Sequence, residues 1–73
     1  FAYLFGLALI DSGERERGLR EWEAALKLAP GDRNLLLALA AEYNKAGLHE
    51  RARQYWGRLA AINPRDPALM PAH

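Results

Sequence analysis

The sequence contains no cysteine and only two histidines, His49 and His73. The lack of thiols excludes a disulfide framework and every metal site built on thiolates. A metal site on a helix needs paired ligands on one face, and His49 stands beside Glu50 without such a partner. We therefore expect His49 to be an ordinary solvent-facing residue, and we expect no metal and no cofactor.

An excess of charge of either sign is also missing, because ten lysine and arginine residues are balanced by nine aspartate and glutamate residues. The net charge of +1 gives no reason to expect nucleic acid or an anionic membrane as a partner. Hydrophobic residues make up 51% and charged residues 26% of the 73 positions, which is typical of a globular protein. A single core of this size stabilises a fold by only ~3–5 kcal/mol.

Long hydrophobic runs are absent as well, since the apolar segment at the start covers only residues 1–10. A membrane-spanning helix needs ~20 apolar residues, so we favour a core helix over the remnant of a membrane span. The apolar pattern begins at Phe1 with no capping residue before it, and we expect the sequence to be an excerpt of a longer protein. The compartment stays open between cytoplasm and periplasm, and the abundance of alanine, leucine and arginine hints at a bacterial source.

Residues arranged for catalysis are not found. Ser12 has no neighbouring base, and the acids Asp11, Glu14 and Glu16 cluster at a turn, where helix N-termini favour acids in any case. A nucleophile, a base and oxyanion donors cannot be assembled from these residues. We therefore expect a protein that is not an enzyme.

What the chain does contain is an internal repeat with a shift of 34 residues. Proline, glycine and tryptophan have different structural roles, so their joint recurrence at one spacing indicates a tandem of one unit. The coinciding pairs are Pro30 and Pro64, Gly13 and Gly47, Trp22 and Trp56, Asp32 and Asp66, and Leu35 and Leu69.

Helix-breaking and capping residues divide the chain into helices. Gly13 and Gly47 end the first and third helices, because glycine takes a left-handed conformation at no steric cost. Asp32 is a candidate N-cap, and Asp66-Pro67 starts a fifth helix that is cut short at Pro71. The predicted helices are Phe1 to Asp11, Glu14 to Ala29, Arg33 to Ala46 and Leu48 to Ile62.

The second and third predicted helices differ in character. The second has an apolar stripe and a charged outer face, on which we expect Glu23 to pair with Lys27 as part of an ordinary wet surface. The third is apolar nearly all the way round, which is typical of a helix with neighbours on more than one side.

The repeated residues resemble the tetratricopeptide repeat (TPR) pattern of a large residue, Leu-Gly and an aromatic on one helix, then Ala, an aromatic and Pro on the next. The second copy matches closely, and the first departs at Ala2, Leu9 and Gly18. The second copy reads Leu36, Leu39-Ala40, Tyr43, Gly47, Ala52, Trp56, Pro64, and the first reads Ala2, Phe5-Gly6, Leu9, Gly13, Gly18, Trp22, Pro30.

This resemblance implies an all-α protein in which antiparallel helical hairpins stack as a right-handed α-solenoid. It also implies that residues 1–73 form a single TPR-like domain, with repeat one at about 1–31, repeat two at about 32–65, and a truncated helix at 66–73. Gly6 and Gly18 have small counterparts in the second copy, so we expect the helices of each hairpin to approach closely there. Trp22 and Trp56 are expected to fill the space between the two units.

The resemblance also implies a function: the first helices of the repeats line a concave groove that binds a peptide or a helix of a partner protein. Most of the groove positions are apolar, which disfavours a clamp for an acidic tail and favours an apolar or amphipathic segment. The groove residues are Tyr3, Leu7, Ile10 and Asp11 on the first helix, and Asn34, Leu37, Ala41, Asn44 and Lys45 on the third.

Three alternatives stay open at this point. The groove residues contact either a ligand or a missing neighbouring unit. The segment is alternatively a self-association module, because two repeats are fewer than a solenoid usually needs and Leu69 and Met70 would be exposed. It is otherwise a structural appendage of an enzyme whose catalytic domain lies elsewhere. The sequence identifies neither the partner nor the process.

Overall fold

The computed structural model describes residues 2–69 and contains, within that range, helices and no strand. The all-α class expected from the sequence is therefore confirmed. The helices are α1 (Ala2–Asp11), α2 (Arg15–Leu28), α3 (Arg33–Lys45) and α4 (His49–Ile62), followed by a short 3₁₀ turn at Pro67–Leu69. The expected end of a fifth helix at Pro71, and the exposure of Met70, lie outside the described residues.

The 34-residue repeat is present in the backbone as well as in the sequence. α2 and α4 have 14 residues each, and both their starts and their ends are 34 positions apart. The ends of α1 and α3, at Asp11 and Lys45, differ by the same number. The two helical hairpins, α1 with α2 and α3 with α4, therefore have equivalent helix bounds.

Both hairpin turns end the first helix in the same way. Gly13 has a φ of +94° and Gly47 a φ of +80°, values that favour glycine because it has no Cβ. In the first turn, the Glu14 amide donates to the Leu9 carbonyl (2.8 Å) and the Gly13 amide to the Ile10 carbonyl (3.1 Å), which is the Schellman arrangement. The second turn repeats these bonds from Leu48 to Tyr43 (2.9 Å) and from Gly47 to Asn44 (3.1 Å).

The two hairpins meet where α2 packs against α3, and their shared core runs through α2, α3 and α4. Asp32 caps α3 as predicted, because its Oδ1 accepts a hydrogen bond from the Leu35 amide (3.2 Å). Asp66 is buried, accepts a hydrogen bond from the Ala68 amide (2.9 Å), and forms a two-pronged pair with Arg33 at 2.7 and 2.9 Å. This pair ties the chain after α4 to the start of α3.

The close approach expected at Gly6 and Gly18 is confirmed. A Cβ added at Gly18 would lie 2.6 Å from the Gly6 carbonyl oxygen, and one added at Gly6 would overlap the ring of Trp22. Helices α1 and α2 therefore come together at a distance that any larger residue at these two positions would prevent.

The expectation that Trp22 fills the space between the two units is supported, because Trp22 belongs to the core cluster that the two hairpins share. Its ring also packs within its own hairpin. Trp22 is 2% exposed and packs on α1 of its own hairpin: its ring stacks on Tyr3 with 5.6 Å between ring centroids, and its Nε1 donates to the Tyr3 carbonyl (3.0 Å). The room for the indole comes from the missing side chain at Gly6. Trp56 is only half-buried and packs at the margin of the shared core.

Candidate functional site

The predicted groove residues follow one side of α1 and one side of α3. Their spacings of three and four residues place each set along a single helical face. Leu7, Ile10 and Leu37 are half-buried and pack against the core. The exposed members are Tyr3, Asp11, Asn34, Ala41, Asn44 and Lys45.

Two of the α1 residues also hold their own hairpin together. Tyr3 stacks on Trp22, and the Ile10 side chain lies so close to α2 that a Cβ at Gly18 would be 2.7 Å from the Ile10 Cγ1. Only part of each side chain is therefore available to a ligand. Leu7 also packs against the core, whereas Asp11 is exposed.

The polar residues at the end of α3 are engaged locally. The Asn44 Oδ1 is in hydrogen-bond contact with the Nδ1 of His49, which is exposed as expected. Lys45 lies 3.5 Å from Glu42, three residues earlier on the same helix. A peptide that binds here would have to compete with these contacts. Asn44 and Lys45 therefore offer a ligand fewer hydrogen-bonding groups than the sequence indicates.

A second cluster was missed by the sequence reasoning, and it is centred on Glu23. The Glu23 Oε2 accepts hydrogen bonds from Tyr43 (2.9 Å), Tyr55 (2.8 Å) and Arg51 (2.8 Å). The predicted surface pair of Glu23 with Lys27 is therefore wrong about the main partners of this carboxylate. The repeat pattern could not reveal the cluster, because the positions 34 residues away from Glu23 and Tyr43 are Gly57 and Leu9.

The cluster fixes the protonation states of its members. Burial opposes the charge of Glu23, but the hydrogen bonds from Arg51, Tyr55 and Tyr43 outweigh it and lower the Glu23 pKa. Burial and the bond to Glu23 raise the pKa of Tyr55 to about 12, and they also raise the pKa of Tyr43. Both tyrosines therefore stay protonated at neutral pH and act as donors to the carboxylate.

The two tyrosines also pack on each other and on Arg51. Their rings are nearly parallel, with centroids 5.7 Å apart, and the Arg51 guanidinium lies 5.0 Å from the centroid of Tyr43. Stacking and cation–π contacts of this kind add stability beyond the hydrogen bonds. We assign the cluster a structural role, which is to hold α2, α3 and α4 together.

Two open clefts lie on either side of this cluster, and both are lined by Glu23 and Arg51. One, of about 340 Å³, also has Lys27 and Arg58 on its walls, and the other, of about 440 Å³, has Leu19 and Leu48. Both are shallow surface features between charged side chains. They do not enclose a small molecule in the way that a typical ligand pocket does.

Residues 2–69 contain no group of three or more acidic, histidine or cysteine side chains placed to hold a metal ion. Within the same range, no helix has the length and apolar character needed to cross a bilayer.

Comparison with protein-family models, with curated proteins and with solved structures gives no match to this chain. The functional interpretation therefore depends on the geometry of the two hairpins and on their surfaces.

Proposed function

We propose that the chain is a non-catalytic protein-interaction module, made of two TPR-like repeats stacked in the manner of an α-solenoid. In this proposal the groove residues of α1 and α3 bind a peptide or a helix of a partner protein. The observation that carries the proposal is the 34-residue recurrence of helix bounds and turn hydrogen bonds. Units that repeat at this length and stack on each other typically act as binding surfaces.

The packing order supports the placement of the groove. α2 packs on α1 within its hairpin and on α3 of the next hairpin. α1 and α3 are therefore the equivalent first helices of two neighbouring units, and their equivalent faces carry the predicted groove residues. A surface repeated in this way suits a ligand that extends across both units.

The chemistry of this surface favours an apolar or amphipathic ligand. Leu7, Ile10 and Leu37 supply half-buried aliphatic surface, and Asn34 and Asn44 supply exposed amide groups beside it. Lys45 is the one cation among the groove residues, and its Nζ lies 3.5 Å from the Oε1 of Glu42. An acidic peptide would find little uncompensated positive charge there, which agrees with the choice of an apolar ligand.

The proposal can be tested with peptides selected from a random displayed library of 12-residue sequences. The selected peptides are titrated against the intact chain and against Ala41→Glu, which places a charge on the exposed part of the groove. Because a charge in an apolar contact must be desolvated without a partner, we expect binding to weaken by at least about tenfold.

Ala61→Glu serves as the matched control, because Ala61 is also an exposed helical alanine but lies on α4. It should bind the peptides like the wild type, and both variants should keep the wild-type helical circular dichroism. If no peptide is enriched, or if Ala41→Glu and Ala61→Glu bind equally well, the groove is not a binding site.

A further inference from the structure

The contact between the two hairpins, in which α2 packs on α3, has an open counterpart on each side of the molecule. The 34-residue repeat makes α4 the equivalent of α2, and α1 the equivalent of α3. Within residues 2–69, no helix takes the place of α2 against α1, and only the short turn at Pro67–Leu69 takes the place of α3 against α4. The chain therefore carries both surfaces of a second contact of the same kind.

Both open surfaces expose apolar side chains whose equivalents are buried. On α1, Phe5 is 48% exposed, whereas its equivalent Leu39 is 0% exposed, and the neighbouring Leu4 is 66% exposed. On α4, Trp56 is half-buried, whereas its equivalent Trp22 is 2% exposed. A contact that covers these side chains removes apolar area from water, which is favourable.

The residues that face each other in the α2–α3 contact change together at the two open surfaces. The Arg15 Nε lies 3.5 Å from the Glu42 Oε2 in that contact. The equivalents of this pair are His49 on α4 and Ala8 on α1, so the arginine and its carboxylate are both replaced. The Arg15 side chain is 49% exposed, so the loss of the pair costs little, and it leaves no carboxylate without its arginine.

A second pair changes in the same way. Tyr43 on α3 donates a 2.9 Å hydrogen bond to Glu23 on α2. The equivalents are Leu9 on α1 and Gly57 on α4, so the hydroxyl and the carboxylate are both absent. Nothing lies within 4 Å of a Cβ added at Gly57, so the packing of its own chain does not require a glycine there. The open surfaces thus avoid a buried polar group on either side.

A third pair changes from apolar to charged. Leu19 on α2 and Leu48 at the start of α4 line the same cleft between the hairpins. Their equivalents are Arg53 on α4 and Glu14 at the start of α2, which carry opposite charges. Both are exposed, and each pairs within its own chain only with an exposed residue three positions away, at 3.5 and 3.4 Å. The two open surfaces are therefore complementary in charge.

We propose that the chain associates with itself head to tail, with α4 of one copy packed on α1 of the next copy as α2 packs on α3. The three pairs carry the proposal, because in each of them a change on one surface is matched by a change on the other. Arg53 of one copy then pairs with Glu14 of the next. A contact of this kind is heterologous, so it can repeat and build a row of copies. It is separate from the groove of the proposed function and does not depend on it.

Two other occupants of the α1 surface fit these observations less well. A second α1, in a two-fold contact, would bury little besides Leu4 and Phe5 of each copy, far from the ~800 Å² per partner of a standard interface. The α2–α3 type of contact engages both helices of a hairpin, since Glu23 bonds to residues of α3 and of α4. An unrelated partner helix would give no reason for the matched changes on α4, among them Arg53.

The experiment measures the association of the intact chain by sedimentation equilibrium at low salt, with one variant that blocks each surface. Phe5→Glu places a charge on the α1 surface, and Arg53→Glu places a carboxylate opposite Glu14. Each variant alone should have a dissociation constant at least about tenfold above that of the wild type, because a buried charge lacks a partner or two like charges meet.

An equimolar mixture of the two variants is the decisive sample. It should form a dimer with one copy of each variant at wild-type affinity, because Phe5→Glu has an intact α4 surface and Arg53→Glu has an intact α1 surface. The mixture should also stop at the dimer, since the two remaining surfaces are blocked. The double variant Arg53→Glu with Glu14→Arg should associate as the wild type does, because the charges are exchanged and still opposite.

Two further variants serve as controls. Arg58→Glu makes the same charge change on α4, but at the equivalent of the exposed Ala24, which lies outside the α2–α3 contact. Ala41→Glu changes the groove. Both should associate as the wild type does. If Phe5→Glu unfolds, Leu4→Glu takes its place, because Leu4 is more exposed.

The proposal is overturned if the intact chain is a monomer at about 1 mM, a concentration at which even weak contacts assemble. It is also overturned if the mixture associates no more tightly than the separate variants, or if Arg58→Glu weakens association as much as Arg53→Glu. A dimer that persists in Arg53→Glu and is lost in Phe5→Glu would assign the α1 surface to a second α1 and overturn the head-to-tail arrangement.

Discussion

The Tyr55 hydroxyl on α4 donates a 2.8 Å hydrogen bond to the Glu23 carboxylate on α2, across 32 residues of sequence and between the two hairpins. Tyr43 on α3 donates to the same oxygen at 2.9 Å. One carboxylate oxygen thus links three helices. The position of the second hairpin on the first therefore depends on a polar contact as well as on the apolar core.

The substitution Tyr55→Phe tests this link, because it removes one hydroxyl and leaves the ring in place. We expect the free energy of unfolding to fall by about 1–2 kcal/mol, since a partly buried carboxylate loses a donor. Urea unfolding followed by circular dichroism measures the change. Tyr3→Phe is the matched control: Tyr3 also stacks on an aromatic ring, and its hydroxyl forms no hydrogen bond among the described contacts, so stability should change little.

The Tyr55 hydroxyl should make the free energy of unfolding depend on pH in the alkaline range. The pKa of Tyr55 is raised from 10.0 to about 12, so above about pH 10 the unfolded chain loses a proton that the folded chain keeps. The free energy of unfolding should therefore decrease as the pH rises from about 10 to about 12. Urea titrations across this range measure the slope.

Tyr55→Phe should reduce this alkaline loss, and the part that remains belongs to Tyr43, whose pKa is also raised. If the slope of stability against pH is the same in Tyr55→Phe and in the wild type, Tyr55 is not held protonated by its surroundings.

Asp66 should account for part of the loss of stability at acid pH. The hydrogen bond from Arg33 and the Ala68 amide lower the pKa of Asp66 from 3.8 to about 2. The contribution of Asp66 to the free energy of unfolding is complete above its pKa in the unfolded chain, and it is lost as the pH falls from about 4 to about 2. Asp66→Asn should flatten the loss of stability in this window, as measured by urea unfolding at several pH values.

Arg33→Met should reduce the loss of stability over the same pH range, because it removes the hydrogen bond from Arg33, which is the larger of the two causes of the lowered Asp66 pKa. In the double variant, the loss of stability between about pH 4 and about pH 2 should be reduced by no more than it is in Asp66→Asn alone. Additive effects of the two substitutions would show that the pair is not coupled.

Two helical glycines should respond to alanine with opposite signs. At Gly18, a Cβ would lie 2.6 Å from the Gly6 carbonyl oxygen, so Gly18→Ala should destabilise the protein by about 1–3 kcal/mol despite the better helix propensity of alanine. At Gly57, nothing lies within 4 Å of the new Cβ, so Gly57→Ala should stabilise it by about 0.5–1 kcal/mol. Thermal melts of both variants measure the difference, and equal effects would mean that α1 and α2 are not in close contact.

Helix boundaries could be predicted from the sequence because their signals are local. Gly13 and Gly47 have positive φ values, and Asp32 caps the helix that it was expected to cap. The predicted ends are within one or two residues of those in the structure. The close approach at Gly18 was also predictable, since glycine within an otherwise good helix needs a steric reason.

Contacts between distant residues could not be predicted in this way. Glu23 has a plausible partner four residues away, yet its bonds go to Tyr43, Tyr55 and Arg51 on the other hairpin. Trp22 was expected in the shared core and lies there, but its additional stacking on Tyr3, which the missing side chain at Gly6 allows, was not predicted. The groove was assigned by resemblance, because residues that contact a ligand leave no local sequence signal of the kind that marks a helix end.

The most direct measurement of the proposed function is a map of amide chemical shifts in the ¹⁵N-labelled chain as a library-selected peptide is added. We expect the largest changes at the groove residues of α1 and α3, among them Leu7, Asn34, Leu37 and Ala41. Changes confined to α2 and α4, around Lys27 and Arg58, would contradict a groove on the first helices of the two hairpins.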